Sequence, residues 1–578
     1  MLRLFRFLRP YWLSIIAVLI LVFGQSMANL YLPNLLADII NNGIAKNDQS
    51  YIVREGGVML IITFAGAAAA ICSAFFAARV AVSFGCDVRA RLFSHVSKFS
   101  LHEFDTVSTA SMITRTTNDT NQVQMVLVIM MSMMLSAPLM AIGGIYLAIQ
   151  QDATLTWTLA VAIPVLMIVI LLVMSRAVPI FQIMQVKIDK VNLVLDEGLT
   201  GVRVIRAFGR EPYEEHRFDE ANLDLTNTAI SVYRMVAVLF PFMMLVLNLT
   251  TIAIFWFGAQ RIDTGDMTVG ALIAFLQYAM QILFAFLMIS MLFIFLPRAA
   301  AAATRINEVL DIKPEISDPS TPQAAESEHG YVEFRDVTFS YPGAEEPAIA
   351  HISFTARPGQ TTAIIGGTGA GKSSLVTLIP RFYDVDSPNG GAVLVDGVDI
   401  REQSQEALRA KIGFIPQRAV LFTGTISENI RYGKPDATDE EIRHAAQVAQ
   451  ATEFIDEMPQ GYDSEIAQGG TNVSGGQKQR LSIARALVRK PEIYIFDDTF
   501  SALDYATDAK LRAALKSETQ NATVIIVAQR VSTIMDADQI IVLDEGKMAG
   551  IGTHHELMES NEVYREIVLS QLSLEEVA

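Results

Sequence analysis

Nine consecutive residues, Gly366, Gly367, Thr368, Gly369, Ala370, Gly371, Lys372, Ser373 and Ser374, follow an apolar run and lead into the helix-like SLVTLIPRFY. Glycine lets backbone N–H groups come close to phosphate oxygens, and a helix starting where the loop ends adds a favourable dipole. In the pattern G-x-x-x-x-G-K-S, Lys372 reaches the outer phosphates of a nucleoside triphosphate and Ser373 can ligate Mg2+. A second stretch, IYIFDDTFSALD at residues 493–504, reads as a buried strand ending on Asp497 and Asp498. An unpaired charge there is costly, so a buried carboxylate at Asp497 needs a partner. Two weaker signals join these: Tyr341, an aromatic before a turn, offers a π face, and Gln417 after GFIP offers a neutral ligand.

These residues need a sheet to hold them. From residue 331 to 578 strand-like runs such as YVEFRDVTFSY, KIGFIPQ, TVIIVAQ and QIIVLDEG alternate with helical ones, which predicts an α/β nucleotide-binding domain. The segment 311–330, DIKPEISDPSTPQAAESEHG, is rich in Pro, Ser and acid and reads as a linker.

Residues 1–310 have a different composition. Six apolar runs, about 11–34, 57–83, 126–149, 154–178, 233–258 and 268–297, are each long enough to cross a hydrocarbon core of ~30 Å. Buried helices of a soluble protein rarely show six such runs together. Basic residues set the orientation. Arg3, Arg6 and Arg9 precede the first run, and Arg89, Arg91, Lys98, Arg115, Lys187, Lys190, Arg203, Arg206, Arg210 and Arg217 fill the two long connections. The other connections carry only Lys46, Arg54 and Arg261, so both termini and both long loops are expected in the cytoplasm. Trp12, Trp157 and Trp256 fall at run ends, as an interfacial belt requires. The first run resembles a signal peptide, but five further spans predict a retained, multi-pass chain in the lipid bilayer.

The net charge of −17 says little about membranes and argues against a nucleic-acid partner. Cys72 and Cys86 show no metal or disulfide pattern and read as packing residues. The stretches 100–119 and 198–218 mix apolar and charged residues at helical spacing, which predicts helices extending beyond the bilayer whose turns reach the soluble domain.

Downstream of the glycine-rich loop, VSGGQKQRLSIARAL begins at Val473, about twenty residues before the strand ending in Asp497. In order and spacing these motifs resemble those of the ATP-binding cassette (ABC) transporters. The segments TRTTND and GVRVIRAFGRE resemble the exporter-type branch, in which six spans are fused to one cassette. The expected fold is therefore a polytopic α-helical membrane domain of six transmembrane helices with long cytoplasmic extensions, followed by an α/β P-loop cassette. The resemblance implies ATP and Mg2+ as cofactors. It makes Ser474, Gly475, Gly476 and Gln477 the signature loop, Tyr341 the adenine-stacking aromatic and Gln417 the sensor of Mg2+ and γ-phosphate. Asp497 would join the Mg2+ shell, and Asp504 would communicate across a dimer.

Two positions depart from the family pattern, and both concern hydrolysis rather than binding. Asp498 stands where the family has its catalytic glutamate, and Gln529 stands where it has the switch histidine. Phosphoryl transfer depends on positioning, and a misplacement of about 1 Å can cost roughly 10²-fold. A shortened carboxylate is expected to hold the attacking water poorly, and an amide cannot carry positive charge. A third, softer departure precedes the signature, where Gln468 and Gly469 stand in place of the Glu and Arg the family often shows. In the family two cassettes sandwich two ATPs, each site combining one chain's phosphate loop with the other's signature. The pattern thus resembles the degenerate-site half of heterodimeric bacterial exporters, many of them multidrug pumps, and implies a second half-transporter as partner in the bacterial cell membrane.

For cargo, Gln277 and Gln281 lie one turn apart, and Phe284, Met288 and Met291 continue their face. Such a surface suits a small amphipathic substrate, while paired glutamines also serve to bond a neighbouring helix. The cluster IMMSMMLSAPLM carries Pro138, which can kink its span, and is not expected to bind metal. Movement of lipid, peptide or siderophore by the same fold stays open, as does an ATP-sensing regulatory subunit.

Overall fold

The computed structural model describes residues 3–323, 329–386 and 390–571, except for the side chains of Val236, Leu239, Phe240, Ser290 and Met291–Ile294. Residues 324–328 of the expected linker and the Met291 side chain therefore lie outside the described residues. The chain divides into two compact units, Met1–Ser97 with Thr109–Ile312 and Lys98–Ser108 with Lys313–Ala578.

The first unit is helical. After a 3₁₀ stretch, Leu4–Tyr11, come α1 (Trp12–Asp38), α2 (Gln49–Val96), α4 (Thr109–Thr114), α5 (Thr120–Gln151), α6 (Thr156–Thr200), α7 (Val202–Ala207), α8 (Glu211–Asp263) and α9 (Val269–Asp311); α3 (Leu101–Val107) belongs to the second unit. Six helical segments among the described residues are long and apolar enough to cross a membrane. The 48 residues of α2 extend roughly 72 Å at 1.5 Å per residue, far more than the ~30 Å of hydrocarbon. The surplus is the helical extension expected from the long connections. Pro138 lies inside α5, which continues through it.

Two buried polar side chains inside this unit are paired across helices. Tyr278 of α9 is fully buried and donates its hydroxyl to Leu30 O of α1 at 2.9 Å. Asp119 is completely buried in a π-helical turn, Arg115–Asp119, and accepts hydrogen bonds from Arg305 Nε at 2.7 Å and Nη2 at 2.5 Å. Breaking such a pair leaves a buried charge and costs about 3–5 kcal/mol. Cys72 and Cys86 are both exposed on their helix, so the expected packing role is not observed. A helix with a wide apolar face turns some of it away from its own bundle.

In the second unit a six-stranded sheet has the order β12-β11-β3-β10-β9-β6, with β3 (Thr361–Gly366), β6 (Ile412–Ile415), β9 (Ile493–Asp497), β10 (Thr523–Val527), β11 (Gln539–Asp544) and β12 (Lys547–Gly552). All neighbours are parallel except β11 and β12. Every residue of β9 and β10 is buried, as expected of central parallel strands covered on both faces. A smaller antiparallel sheet, β2-β1-β4-β5, joins β1 (Val332–Phe339), β2 (Ile349–Ala356), β4 (Ala392–Val395) and β5 (Val398–Asp399); β7 (Gly424–Thr425) pairs with β8 (Glu465–Ile466). The helices are α10 (Lys372–Leu378), α11 (Gln405–Ala410), α12 (Ile426–Arg431), α13 (Asp439–Val448), α14 (Thr452–Asp456), α15 (Gly475–Leu487), α16 (Tyr505–Glu518), α17 (His554–Ser560) and α18 (Glu562–Gln571).

Helix α3 is held by a buried carboxylate. Glu103 accepts the N–H of Ser100 at 2.5 Å and that of Glu315 at 2.9 Å. Burial disfavours its charge, but the bonds from Ser100 and the Glu315 N–H outweigh this and draw its pKa below the ordinary value. Helix α7, the corresponding tip of the other long connection, stays in the first unit with Val204 and Phe208 exposed.

Candidate functional site

The strand order explains why residues far apart in sequence converge. Strand β10 lies between β3 and β9, with Val527 opposite both Ile364 and Asp497. The parallel strands β3, β10, β9 and β6 end side by side, where open α/β sheets form their ligand crevice. They deliver the glycine-rich loop, Gln529, the Asp497–Asp498 pair and Gln417 to one place.

Two glycines of the loop are required by space. A Cβ on Gly366 would sit 2.2 Å from Leu543 O, and one on Gly371, at φ +89°, would meet Ala348 O at 2.6 Å. Lys372 Nζ donates to the carbonyls of Gly366 and Gly367 at 2.9 and 2.6 Å. Burial pulls its pKa down, opposed by Asp498 and Asp497. Ser373 Oγ donates to Asp497 Oδ1 at 2.9 Å. Burial pushes the Asp497 carboxyl up, against the Ser373 hydrogen bond. A hydroxyl and a carboxylate oxygen this close are hard oxygen ligands, a donor set that fits Mg2+. Tyr341 bonds Ser374 Oγ through its hydroxyl at 2.9 Å and meets Tyr383 edge-on at 5.4 Å, with 39% of the residue exposed.

Asp498 is the centre of the site. It is buried, takes the left-handed conformation at φ +46°, and accepts two amides on one oxygen: Gln417 Nε2 at 3.0 Å and Gln529 Nε2 at 2.7 Å bond Oδ2. Asp tolerates this backbone region better than most side chains. The two residues that depart from the family pattern are thus bonded directly to each other, which their separation in sequence did not reveal.

The signature segment is elsewhere. Ser474 caps α15, its Oγ accepting the N–H of Gln477 at 3.3 Å while Gln477 Oε1 accepts the N–H of Ser474 at 2.8 Å. Among the described residues, no hydrogen bond joins 474–477 to the glycine-rich loop. Asp504 caps α16 through the Thr507 N–H at 2.9 Å, and that bond lowers its pKa. Gly469 has φ +64°, a conformation in which an arginine would be strained, and its carbonyl accepts Lys478 Nζ at 2.9 Å.

In the helical unit, Gln281 donates to Asn29 O of α1 at 3.1 Å while its Oε1 is buried without a partner. The amide serves helix packing, the alternative raised for the paired glutamines. A cavity of about 800 Å³ lies instead between α6 and α8, with apolar walls including Trp157, Val161, Val165 and Phe257 and a polar end at Gln260 and Arg261.

Comparison with known proteins agrees with this geometry. Residues 15–286 match the ABC transporter transmembrane region and residues 349–501 the ABC transporter family. An uncharacterized ABC transporter ATP-binding protein of Mycobacterium tuberculosis is 44% identical over 98% of this chain and 97% of its own. The chain belongs to the ABC transporters. Another ABC transporter ATP-binding protein, from Bacillus subtilis, is 40% identical over 98% of each chain. An ATP-dependent lipid A-core flippase of Thiobacillus denitrificans is 31% identical over 99% of this chain and 98% of its own. A solved bacterial Atm1-family ABC exporter with ATP bound superposes with a TM-score of 0.80 at 26% identity, covering 98% of this ABC transporter and 99% of that chain. The protein is therefore an ATP-driven exporter-type half-transporter, with six spans fused to one ATPase domain, and a multi-pass membrane protein.

Proposed function

We propose that this chain is the subunit of a heterodimeric exporter whose own phosphate-loop site binds ATP and Mg2+ but hydrolyses slowly, while its signature Ser474–Gln477 completes the partner's competent site. The observation that carries this reading is the bonding of Gln417 and Gln529 to one oxygen of Asp498. A carboxylate that accepts two amides, on a side chain one methylene short, is poorly placed to take a proton from an attacking water. Binding is left intact: residues 366–374 cradle the phosphates, Ser373 and Asp497 hold Mg2+, and Tyr341 stacks on adenine. When bound, Mg2+ supplies charge neutralisation at the outer phosphates. Support for a partner comes from the self-capped signature helix and from the exposed Val204 of α7 and Phe208 just beyond it. Both termini and the cassette lie on the cytoplasmic side of a bacterial cell membrane, a reading that the distribution of Lys and Arg supports for the orientation. The domain limits of 1–310, 311–330 and 331–578 go with this reading.

The cargo is a small amphipathic molecule. Among the alternatives of lipid, peptide or siderophore, the named function of the 31% identical flippase favours a lipid.

The test is the ATP turnover of the purified chain. The D498E/Q529H variant is expected to exceed wild type by roughly 10²-fold, the size of a lost positioning effect. Equal rates would sink the degenerate-site reading. Gentle isolation followed by native mass determination should recover a second, different subunit; two identical chains would exclude the heterodimer.

A further inference from the structure

The switch position is also held from behind. Strand β10 ends at Val527, and the chain then runs through Ala528, Gln529 and Arg530 into the turn Val531–Thr533. Upstream, the sheet fixes it: Ala528 N donates to Ile364 O at 3.1 Å, and Asp498 N donates to Val527 O at 3.0 Å. Downstream the sheet has ended, and the backbone there needs other partners.

Gln571, the last residue of α18, supplies them. Its Nε2 donates to Gln529 O at 2.8 Å, and its Oε1 accepts the N–H of Val531 at 2.9 Å. One primary amide meets alternate backbone groups of an extended segment, as a neighbouring strand would. Only one orientation of the amide satisfies both bonds, since a carbonyl needs a donor and an N–H an acceptor. The helix carrying Gln571 is anchored. Tyr564 and Val568 are fully buried in the same core cluster as Val531 and Ile534, and the Tyr564 hydroxyl lies 2.8 Å from Nδ1 of His554. The hydrogen-bond chain thus runs from α18 through Gln571, Gln529 and Asp498 to Gln417.

We propose that Gln571 is a positioning residue for the nucleotide switch: it holds the backbone of residues 529–531 so that the Gln529 amide faces the outer phosphate position. The proposal rests on the reading of Gln529 as the switch. Gln571 itself touches neither nucleotide nor reacting atoms. Its expected action is on discrimination between ATP and ADP, because only ATP presents a γ-phosphate to Gln529.

The experiment measures dissociation constants for ATP and for ADP, with Mg2+, on the full chain in detergent. The variants are Q571A, Q571E, Q529A and Q571A/Q529A. Loss of one or two hydrogen bonds of ordinary net strength predicts a threefold to roughly tenfold smaller preference for ATP in Q571A, with ADP affinity unchanged. Q571E retains the acceptor for Val531 N and loses the donor to Gln529 O, so it should fall between wild type and Q571A. If Q571A does not fold, Q571E decides alone, by a preference below that of wild type. In the Q529A background the Q571A change should have no further effect. A normal preference in Q571A beside a reduced one in Q529A overturns the positioning role and leaves the switch reading standing. Equal weakening of ATP and ADP in Q571A, or an undiminished Q571A effect in the Q529A background, shows a merely structural role and overturns it also. An unchanged preference in Q529A overturns the switch reading and this proposal together.

Discussion

The phosphate-loop site and the signature helix lie in the same unit and are built from the same kinds of residue, yet they differ in completeness. At the carboxyl ends of β3, β9, β10 and β6 the polar side chains bond partners on other segments of the chain: Lys372 on two carbonyls, Ser373 on Asp497, Gln417 and Gln529 on Asp498. At the start of α15, among the described residues, the side chains of Ser474 and Gln477 bond only each other's backbone N–H, and Ser474 is exposed. The same contrast recurs at the two long connections. Helix α3 is locked by the buried Glu103, whereas α7 leaves Phe208 in the open.

The largest effect should come from the closed site. On the proposed reading, Lys372→Ala would remove charge-assisted bonds to the outer phosphates, and it is expected to weaken ATP binding by about 10²-fold, measured by titration calorimetry. Unchanged affinity would mean that the loop is not the phosphate cradle. Glu103→Ala strands the N–H groups of Ser100 and Glu315 and should cost about 1–3 kcal/mol in denaturant unfolding. Phe208→Ala should stay within about 0.5 kcal/mol, as for other exposed sites. Similar losses in both would erase the distinction between the tips. The Glu103 contribution also has a pH signature. Its folded pKa is depressed, so its stabilisation is complete above the unfolded glutamate value of about 4.3 and is lost as pH falls through the lower folded value. Stability that rises on acidification through this window in wild type relative to E103Q would contradict it. The smallest effect on this chain belongs to the open site. Ser474→Arg puts a cation at a helix N-terminus and should leave this chain's own ATP affinity within about twofold while lowering turnover of the assembled complex by about tenfold. A parallel loss of ATP affinity in the isolated chain would break the comparison.

Much of the site was legible because it is encoded in short, local patterns. The loop Gly366–Ser374, the strand ending at Asp497 and the capping box at Ser474 each lie within a dozen residues, where turn and helix chemistry is set by neighbours in the chain. The six apolar runs were legible for a similar reason, since membrane crossing depends on length and composition. Gln281 was ambiguous because one amide in a span serves either a cargo or a helix, and only the carbonyl of Asn29 opposite it distinguishes them. The exposed cysteines went unread because apolar spans do not disclose which side faces their own bundle. No signal in VLSQ marks Gln571, a lone polar residue near the end of a helix.

By itself the sequence determined the two-part architecture, the nucleotide chemistry and the two departures, Asp498 and Gln529, since residue type at a motif position is a local fact. Only the tertiary structure decided that Gln417, Asp498, Gln529 and Gln571 form one hydrogen-bonded chain. These residues come from three strand ends and the C-terminal helix. Their meeting is set by the placement of β10 between β3 and β9 and by the burial of Tyr564 and Val568 beneath Val531, and such contacts are fixed by sheet order and core packing rather than by spacing along the chain.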